Sequence, residues 1–523
     1  MSFTENINQA YTFKGESILL GAAMLDQKPV PASRVNLPLK TMNRHGLIAG
    51  ATGTGKTKTL QMIAEGLSEA SVPVFMMDIK GDLSGIGAEG KTNGKIEERM
   101  TSIGSEFIPS AFPIEFLTIS NEPGTRLRAT VTEFGPVLLS KILGLNATQE
   151  GVMSMIFKYC DDHALPLLDL KDIIKVLQYM SNEGKDIVKA EYGNISSQSM
   201  GTILRKIIEL QQQKADVFFG ERSFDIDDLL RIDEQGRGII SMIRLTDIQD
   251  RPKLFSTFML QLLAELYATL PEEGDLEKPK LVMFIDEAHL IFQDASSALM
   301  QQLETVIKLI RSKGVGIFFC TQNPTDIPQA ILSQLGMKIQ HALRAFTAKD
   351  RQDIKKVAQN YPLTSYYKTE DLLTQLGIGE AFVTLLNEKG IPTPLVHCLL
   401  CPPRSRMDVL TSEEIQTIMA KSTISKKYNE IIDSDSAYEI LTKKLSGATT
   451  VDQSTVKPDT PSGSTRTTTT TKTQEKSTLD TILGSPVAKQ VGRTAATVIT
   501  RTLLGVLGIK ATRSRRRNNS SWF

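Results

Sequence analysis

The chain has 523 residues, of which 41% are apolar, 23% charged and 6% aromatic. That is too long for one core, which stops growing near roughly 250–300 residues, so two or more packed units are expected. Basic and acidic residues nearly cancel, 60 against 59, which excludes a histone-like coat of positive charge and leaves room for a local basic site.

The N-terminus, MSFTENINQAYTF, lacks a charged segment followed by an apolar one, so no secretory signal is expected. Four cysteines, Cys160, Cys320, Cys398 and Cys401, do not make a disulfide framework, and a reducing, cytoplasmic setting is the natural expectation. No run of ~18 apolar residues occurs, so no membrane span is expected.

In chain order, residues 45–50 (HGLIAG) read as a short buried strand entering a glycine-rich turn, 56–70 as a helix, and 71–78 (SVPVFMMD) as a second apolar strand ending on a carboxylate. Strand, helix and strand within 35 residues form a βαβ unit and hence a parallel sheet. From Gly81 to about Glu234 the apolar period is mostly helical, with helices expected near 136–145, 149–159, 170–180 and 200–213. Strand character resumes at 238–245 (GIISMIRL), followed by a helix over 252–270, a strand at 280–286 (KLVMFID), a helix at 298–312, and strands at 315–321 and 338–345. A pair near 379–385 and 394–400 is placed to close the sheet.

Past Lys444 the composition shifts. Residues 446–478 are dominated by Thr, Ser and Pro, with five consecutive threonines at 467–471, and such a stretch buries too little apolar area to offset its ordering entropy. It reads as a disordered linker. The last segment, 479–523, reads as a basic amphipathic tail, with eight basic residues against one acid, Asp480. It suits nucleic acid or an anionic lipid surface, or is a solubilising end.

Gly50-Ala51-Thr52-Gly53-Thr54-Gly55-Lys56-Thr57 fits G-x-x-x-x-G-K-[ST] at every fixed position and lies between an expected strand and an expected helix. In such a loop the backbone N–H groups wrap a β-phosphate that faces the helix N-terminus. Lys56 is then expected to reach the β- and γ-phosphates, Thr57 to hold Mg²⁺, and the loop through Lys58 to bind the nucleotide. Residues 281–287 (LVMFIDE) supply the partner: a buried strand ending on adjacent carboxylates. Asp286 is the expected Mg²⁺ ligand, acting through water, and Glu287 the base that orients and deprotonates the attacking water. Gln322, just after the GIFFCT strand, is expected beside the γ-phosphate. A second carboxylate here points to ATP hydrolysis rather than a slow GTP switch, and no NKxD-type guanine signature occurs.

Two other readings fail. The letters DEAH at 286–289 suggest a superfamily 2 helicase, but 230 residues separate Lys56 from Asp286 and no second motor domain follows. No LSGGQ-like stretch lies shortly before Asp286, which removes a transporter ATPase. Cys398-x-x-Cys401, preceded by His397, has no second ligand pair and reads as two small residues of a buried strand.

The blocks HGLIAGATGTGKT, VPVFMMDIKGDLSG, LVMFIDEAHLIF, GVGIFFCTQNPTDIPQAILSQLG and IQHALRAF resemble the HerA/FtsK superfamily. TEFGPVLLSKILGLNATQ, GIGEAFVTLLNEKGIPTP and CPPRSRM resemble, within it, bacterial proteins with a helicase HerA-like C-terminal domain. The resemblance spans about residues 10–410. It implies an α/β fold with a RecA-like P-loop NTPase core, a mostly parallel sheet flanked by helices, carrying a large α-helical insertion. It also implies a homo-oligomeric ring, usually a hexamer, that translocates or remodels DNA.

Such rings draw an arginine from the neighbouring subunit. Arg344 in HALRAF is the first candidate, with Lys338, Arg126 and Arg128 as further options. One departure stands out: about 40 residues precede the first expected strand, too few for the N-terminal β-barrel of HerA itself. The expected organisation is then 1–83 (first part of the ATPase core), 84–235 (helical insertion), 236–410 (second part of the core), 411–445 (C-terminal helices), 446–478 (linker) and 479–523 (tail). The rival to a DNA motor is an assembly ATPase that engages a protein partner through the insertion or the tail and is indifferent to DNA.

Overall fold

The computed structural model of the chain describes residues 2–451 apart from 248–250, 275, 293–296, 431 and 433. The tail at 479–523 and the linker beyond 451 lie outside the described residues. The chain divides into two units, one of residues 1–128, 213–218 and 222–431, the other of 129–212, 219–221 and 432 onward.

Among the described residues the first unit is built on a twelve-stranded sheet. Its strands are β1 Ser17–Leu25, β2 Lys28–Pro38, β3 Gly46–Ala49, β4 Val74–Asp78, β5 Ile114–Thr118, β6 Thr125–Arg126, β7 Ile240–Arg244, β8 Leu281–Ile285, β9 Val315–Thr321, β10 Met337–Gln340, β11 Glu380–Thr384 and β12 Val396–Leu400. They lie in the order β2-β1-β12-β11-β10-β3-β9-β8-β4-β7-β5-β6. From β10 to β6 every pairing is parallel, and from β10 back to β2 every pairing is antiparallel. The central strands are buried on both faces: no residue of β4, β8 or β9 is more than 1% exposed among those of the apolar core. A parallel sheet covered by crossover helices requires this, and it is why these strands read as unbroken apolar runs rather than alternations.

The eight expected strands are present, β9 over its full expected range, β10 from one residue earlier to Gln340, and the others shortened at one or both ends. Four were not foreseen. β1 and β2 form an edge hairpin whose two-residue turn, Asp26-Gln27, has both residues at positive φ, 49° and 61°. That is the backbone of a type I′ turn without the Asn-Gly or Asp-Gly pair that usually announces one. β5 and β6 fall inside the stretch expected to be helical.

The helical insertion is therefore shorter than 84–235. Residues 84–128 and 222–235 belong to the sheet unit, and the second unit takes 129–212. Its helices are Val131–Leu143, Ala147–Asp162, Leu170–Ser181, Lys185–Tyr192, Ser197–Gln212 and Ala437–Val451. Capping boxes open three of them, from Thr130 to Glu133, Asn146 to Gln149 and Asp169 to Asp172. The first is broken at Gly135 (φ 67°, ψ 168°), ahead of Pro136, which cannot continue the hydrogen-bond ladder. Val152, Ile156, Ile173, Val176, Ile203 and Ile207 form the buried faces. The last helix is joined to this unit by N–H bonds from Ala437 to the Pro166 carbonyl and from Tyr438 to Asp172. It runs to Val451, six residues into the stretch expected to be linker, while Ser412–Lys421 and Thr423–Asn429 stay with the sheet unit. Among the described residues no helix is long and apolar enough to cross a membrane. All four cysteines are free; Cys398 is buried on β12 as expected, whereas Cys401 lies just past that strand and is half-buried.

His45 sets the entry into β3. It sits at φ 58°, and its Nδ1 accepts the Ile317 N–H at 3.1 Å while Nε2 faces the Ile307 carbonyl at 2.9 Å. One nitrogen must accept and the other donate, so the ring is neutral, and burial pushes its pKa down to about 4. The unfolded chain then binds a proton that the folded chain refuses between about pH 6.5 and 4, and stability falls as pH drops through that window, by on the order of 3 kcal/mol from this group. The melting temperature should fall between pH 7 and pH 5. A His45→Gln variant, less stable at pH 7, should show a shallower acid decline; an unchanged slope would remove His45 from the account.

Candidate active site

The glycine-rich loop, Asp286, Glu287 and Gln322 lie at the C-terminal edge of the parallel sheet, where ligands of open α/β sheets bind. The glycine-rich loop leaves β3 at Gly50, whose N–H donates to the Thr321 carbonyl of β9, and Ala51 N–H donates to the Ala342 carbonyl beyond β10. The loop is thus tied to the strands on both sides. Gly50 has φ 152°, and a Cβ there would stand 2.5 Å from the His341 Cβ. Gly55 has φ 108°, and a Cβ on it would stand 3.2 Å from the Gly379 nitrogen, which donates to the Thr54 carbonyl. These two positions need glycine both for conformation and for space. Thr52 and Gly53 at the tip are exposed, and Thr54 is buried with its hydroxyl on the Ala51 carbonyl at 2.7 Å.

The helix Lys56–Glu69 starts directly from the loop, with Gly55 in the left-handed conformation as its N-cap and no side chain satisfying its first N–H groups. A helix start without a capping side chain leaves its donors for an anion. Lys56 is buried, and among the described residues its ammonium reaches only the Ala51 carbonyl, at 3.4 Å. Burial first, and Lys80 next, pull its pKa below the ordinary lysine range. Lys58 is committed elsewhere: its ammonium donates to the Met407 carbonyl at 2.6 Å and to Gln61 at 3.1 Å, so only its backbone remains for a nucleotide.

β9 lies between β3 and β8, so the two motifs are separated by one strand. Asp286 and Glu287 follow β8 directly and are both buried. Among the described residues the Oδ2 of Asp286 has no hydrogen-bond partner, and burial, then the Glu287 charge, raises the Asp286 pKa to about 6. An orphaned carboxylate oxygen, with the half-buried Thr57 hydroxyl on the helix start, is a hard-oxygen donor set that fits Mg²⁺, which keeps its remaining positions for phosphate and water.

Glu287 has φ 45°, a left-handed conformation that costs a non-glycine residue about 1–2 kcal/mol. Its carboxylate pairs with the ammonium of Lys80 and lies 3.3 Å from His289 Nδ1. Burial works to raise its pKa, and Lys80, His289 and Lys56 outweigh that, leaving it below the ordinary carboxylate range. Gln322 is exposed just past the end of β9, between the two motifs.

Three participants were missed in the sequence. Lys80 follows β4. Asp78, which ends that strand, is buried and accepts N–H bonds from Gly81 (2.7 Å), Asp82 (3.1 Å) and Leu83 (3.3 Å), shaping the turn that carries Lys80. Burial, then Asp82, raises the Asp78 pKa to about 7. The third is His341, fully buried behind the loop, with Nε2 3.0 Å from the Thr59 hydroxyl and its pKa pushed to about 4 by burial and then by Lys56. The strand ending on a carboxylate followed by IKGD was visible; what hid its role was that β4 neighbours β8 only in three dimensions.

A model of the helicase HerA-like C-terminal family matches residues 24–514. The chain belongs to that family. Two DNA double-strand break repair helicases named HerA, from Sulfurisphaera tokodaii and Saccharolobus solfataricus, are 23% and 22% identical to it over 358 and 357 residues. Each match takes 67% of this chain and 64% or 63% of the relative, so the chain spans under two thirds of their lengths. Among solved structures, the bacterial conjugative coupling protein TrwBdeltaN70 superposes with a TM-score of 0.50 at 14% identity, covering 79% of this chain and 95% of that one. The family match and this likeness agree with the RecA-like P-loop fold of the HerA-like core described above.

The Gly50 junction gives a test of the loop. Gly50→Ala should lower unfolding stability by about 1–3 kcal/mol, because the new Cβ meets a buried imidazole rather than a flexible tip, and should weaken nucleotide binding with it. Denaturant unfolding and titration with a fluorescent ATP analogue would read both; a wild-type midpoint would mean that the junction relaxes freely.

Proposed function

We propose that this HerA-like chain is a Mg²⁺-dependent ATP hydrolase that acts on DNA as a homo-oligomeric ring. The observation that carries the hydrolytic half is the placement of Lys56 and Thr57 across a single strand from Asp286 and Glu287, with Glu287 held in a strained backbone conformation. The loop N–H groups and the helix start bind the β-phosphate, and the Lys56 ammonium neutralises the β- and γ-phosphate oxygens. Thr57 and Asp286 would hold Mg²⁺, which supplies charge neutralisation between those phosphates when bound. Glu287 takes a proton from the water that attacks the γ-phosphorus. The bond from that phosphorus to the bridging oxygen breaks, and its electron pair leaves with ADP. Gln322 contacts the γ-phosphate from β9 and registers its departure.

The DNA half rests on family membership and on the named activity of the two relatives. Arg344 is the residue we assign to the neighbouring subunit's nucleotide. It is exposed, stands beyond β10 at the same sheet edge, and donates to the Thr374 carbonyl at a long 3.4 Å. Lys338 fits less well: its ammonium faces the Asn360 carbonyl at 3.3 Å and the Tyr361 ring at 5.9 Å. Arg126 sits on β6, the outermost strand, and burial holds the Arg128 pKa below its ordinary range.

Steady-state ATP turnover with and without double-stranded DNA tests the proposal. Lys56→Ala should lose nucleotide binding or turnover, and Glu287→Gln should bind ATP and lose hydrolysis by ~10²-fold or more. Several-fold stimulation by DNA that fades as salt rises would support the DNA motor, since phosphate contacts release counterions. Turnover indifferent to DNA would move the assignment to a protein client. For Arg344, mixing Arg344→Ala subunits with Lys56→Ala subunits should restore part of the activity that each lacks alone; no recovery at any ratio would assign the role elsewhere.

A further inference from the structure

Phosphoryl transfer leaves little covalent work for a protein, so the aim of the base on its water decides much of the rate. At this site the base is positioned by few groups. The backbone at Glu287 is fixed from both sides: Ala288 N–H donates to the Cys320 carbonyl on β9 at 2.9 Å, and Leu290 N–H donates to the Glu287 carbonyl at 2.9 Å. Nothing in that backbone fixes the carboxylate itself. Its Oε1 faces the Lys80 ammonium and its Oε2 faces His289. Lys80 comes from a different strand, β4, through the Asp78-ordered turn, and its side chain stays 38% exposed while that of Glu287 is 7% exposed.

We infer that Lys80 is a positioning residue for the hydrolytic step: from the end of β4 its ammonium anchors one carboxylate oxygen of Glu287, fixing the side-chain rotation that presents the other face of the carboxylate to the attacking water. Lys56 and Lys80 thereby divide the labour. The first serves the phosphates and the second serves the base, an arrangement consistent with their mutual repulsion and with the attraction of both to the carboxylate pair. The inference rests on the hydrolytic reading given above.

The test compares Lys80→Met and Lys80→Arg in the full chain, reading kcat, KM and the affinity for a fluorescent non-hydrolysable ATP analogue. Lys80→Met should lower kcat by about 10- to 100-fold, with analogue affinity and KM within about twofold. Lys80→Arg should recover most of that loss, because a guanidinium can also hold a carboxylate oxygen. In a Glu287→Gln background Lys80→Met should cost nothing further, since two residues serving one step do not add. A merely structural Lys80 would lower turnover in both backgrounds and shift the melting curve. If Lys80→Met fails to fold, Lys80→Gln against Lys80→Arg carries the same comparison.

An unchanged kcat overturns the inference. So does a loss of affinity that matches the loss of rate, which would make Lys80 a phosphate ligand. Failure of the hydrolytic reading is separate: Glu287→Gln would then turn over ATP at the wild-type rate, whereas an inactive Glu287→Gln beside a fully active Lys80→Met sinks the role of Lys80 alone.

Discussion

A single strand governs the chemistry available to this molecule. β9 pairs with β3 on one side and β8 on the other, with Ala49 opposite Thr321 and Ile285 opposite Phe319. Two strand spacings, about 10 Å, therefore separate the backbone of the glycine-rich loop from the backbone that carries the carboxylates. Were β3 and β8 adjacent, Asp286 and Glu287 would crowd the loop; with β9 between them there is room for a terminal phosphate and a water. The parallel pairing then brings Gly50, Asp78, Asp286 and Gln322 to one edge, because all four strands end there.

That edge gathers charge that the fold alone leaves unbalanced. Lys56 is buried with one long contact to a carbonyl, and Asp286 keeps a buried oxygen without a partner. Buried polar groups in folded proteins are ordinarily satisfied, and departures concentrate at functional sites. Two of the departures at this edge are of opposite kind, a cation short of an anion and an anion short of a cation. A magnesium nucleotide presents both, phosphate oxygens to the lysine and a metal to the carboxylate. Glu287 differs from its neighbour in being ion-paired with Lys80, on a backbone that β9 and the following turn hold in the left-handed conformation.

What was legible in the sequence follows from how local each signal is. β3, β4, β8 and β9 are central parallel strands, so they read as uninterrupted apolar runs, and the loop and the Asp286-Glu287 pair each sit within one short segment. β1 and β2 were not legible because the turn residues Asp26 and Gln27 adopt positive φ without the glycine that would have marked it. β5 and β6 pair in the sheet with segments more than a hundred residues away or with each other over two residues, and their surroundings carry a helical period. The stretch 84–235 expected as a helical insertion therefore contains 129–212 of the second unit together with 84–128 and 222–235 of the sheet unit. Lys80 and His341 escaped because their meaning depends on strand order: Lys80 matters only if β4 neighbours β8, and His341 only if β10 neighbours β3.

The helix that carries Lys56 and Thr57 is held from its far side as well. Glu65 is buried and accepts N–H bonds from Arg404 at 2.7 Å and Ser405 at 3.1 Å and the Ser405 hydroxyl, Gln61 donates to Ser405 and to the Arg406 carbonyl, and Lys58 donates to the Met407 carbonyl. Three polar residues one turn apart, at 58, 61 and 65, thus grip a strap some 340 residues later in the chain. Burial raises the Glu65 pKa and these donors oppose the shift, so the strap is what makes a carboxylate tolerable in that position. On the proposed function, this side-chain ladder steadies the helix whose start receives the phosphates. The resemblance of CPPRSRM to a family block, which the motifs alone leave without a role, coincides with this contact: the segment lies past the last strand of the sheet and packs against the helix that follows the glycine-rich loop.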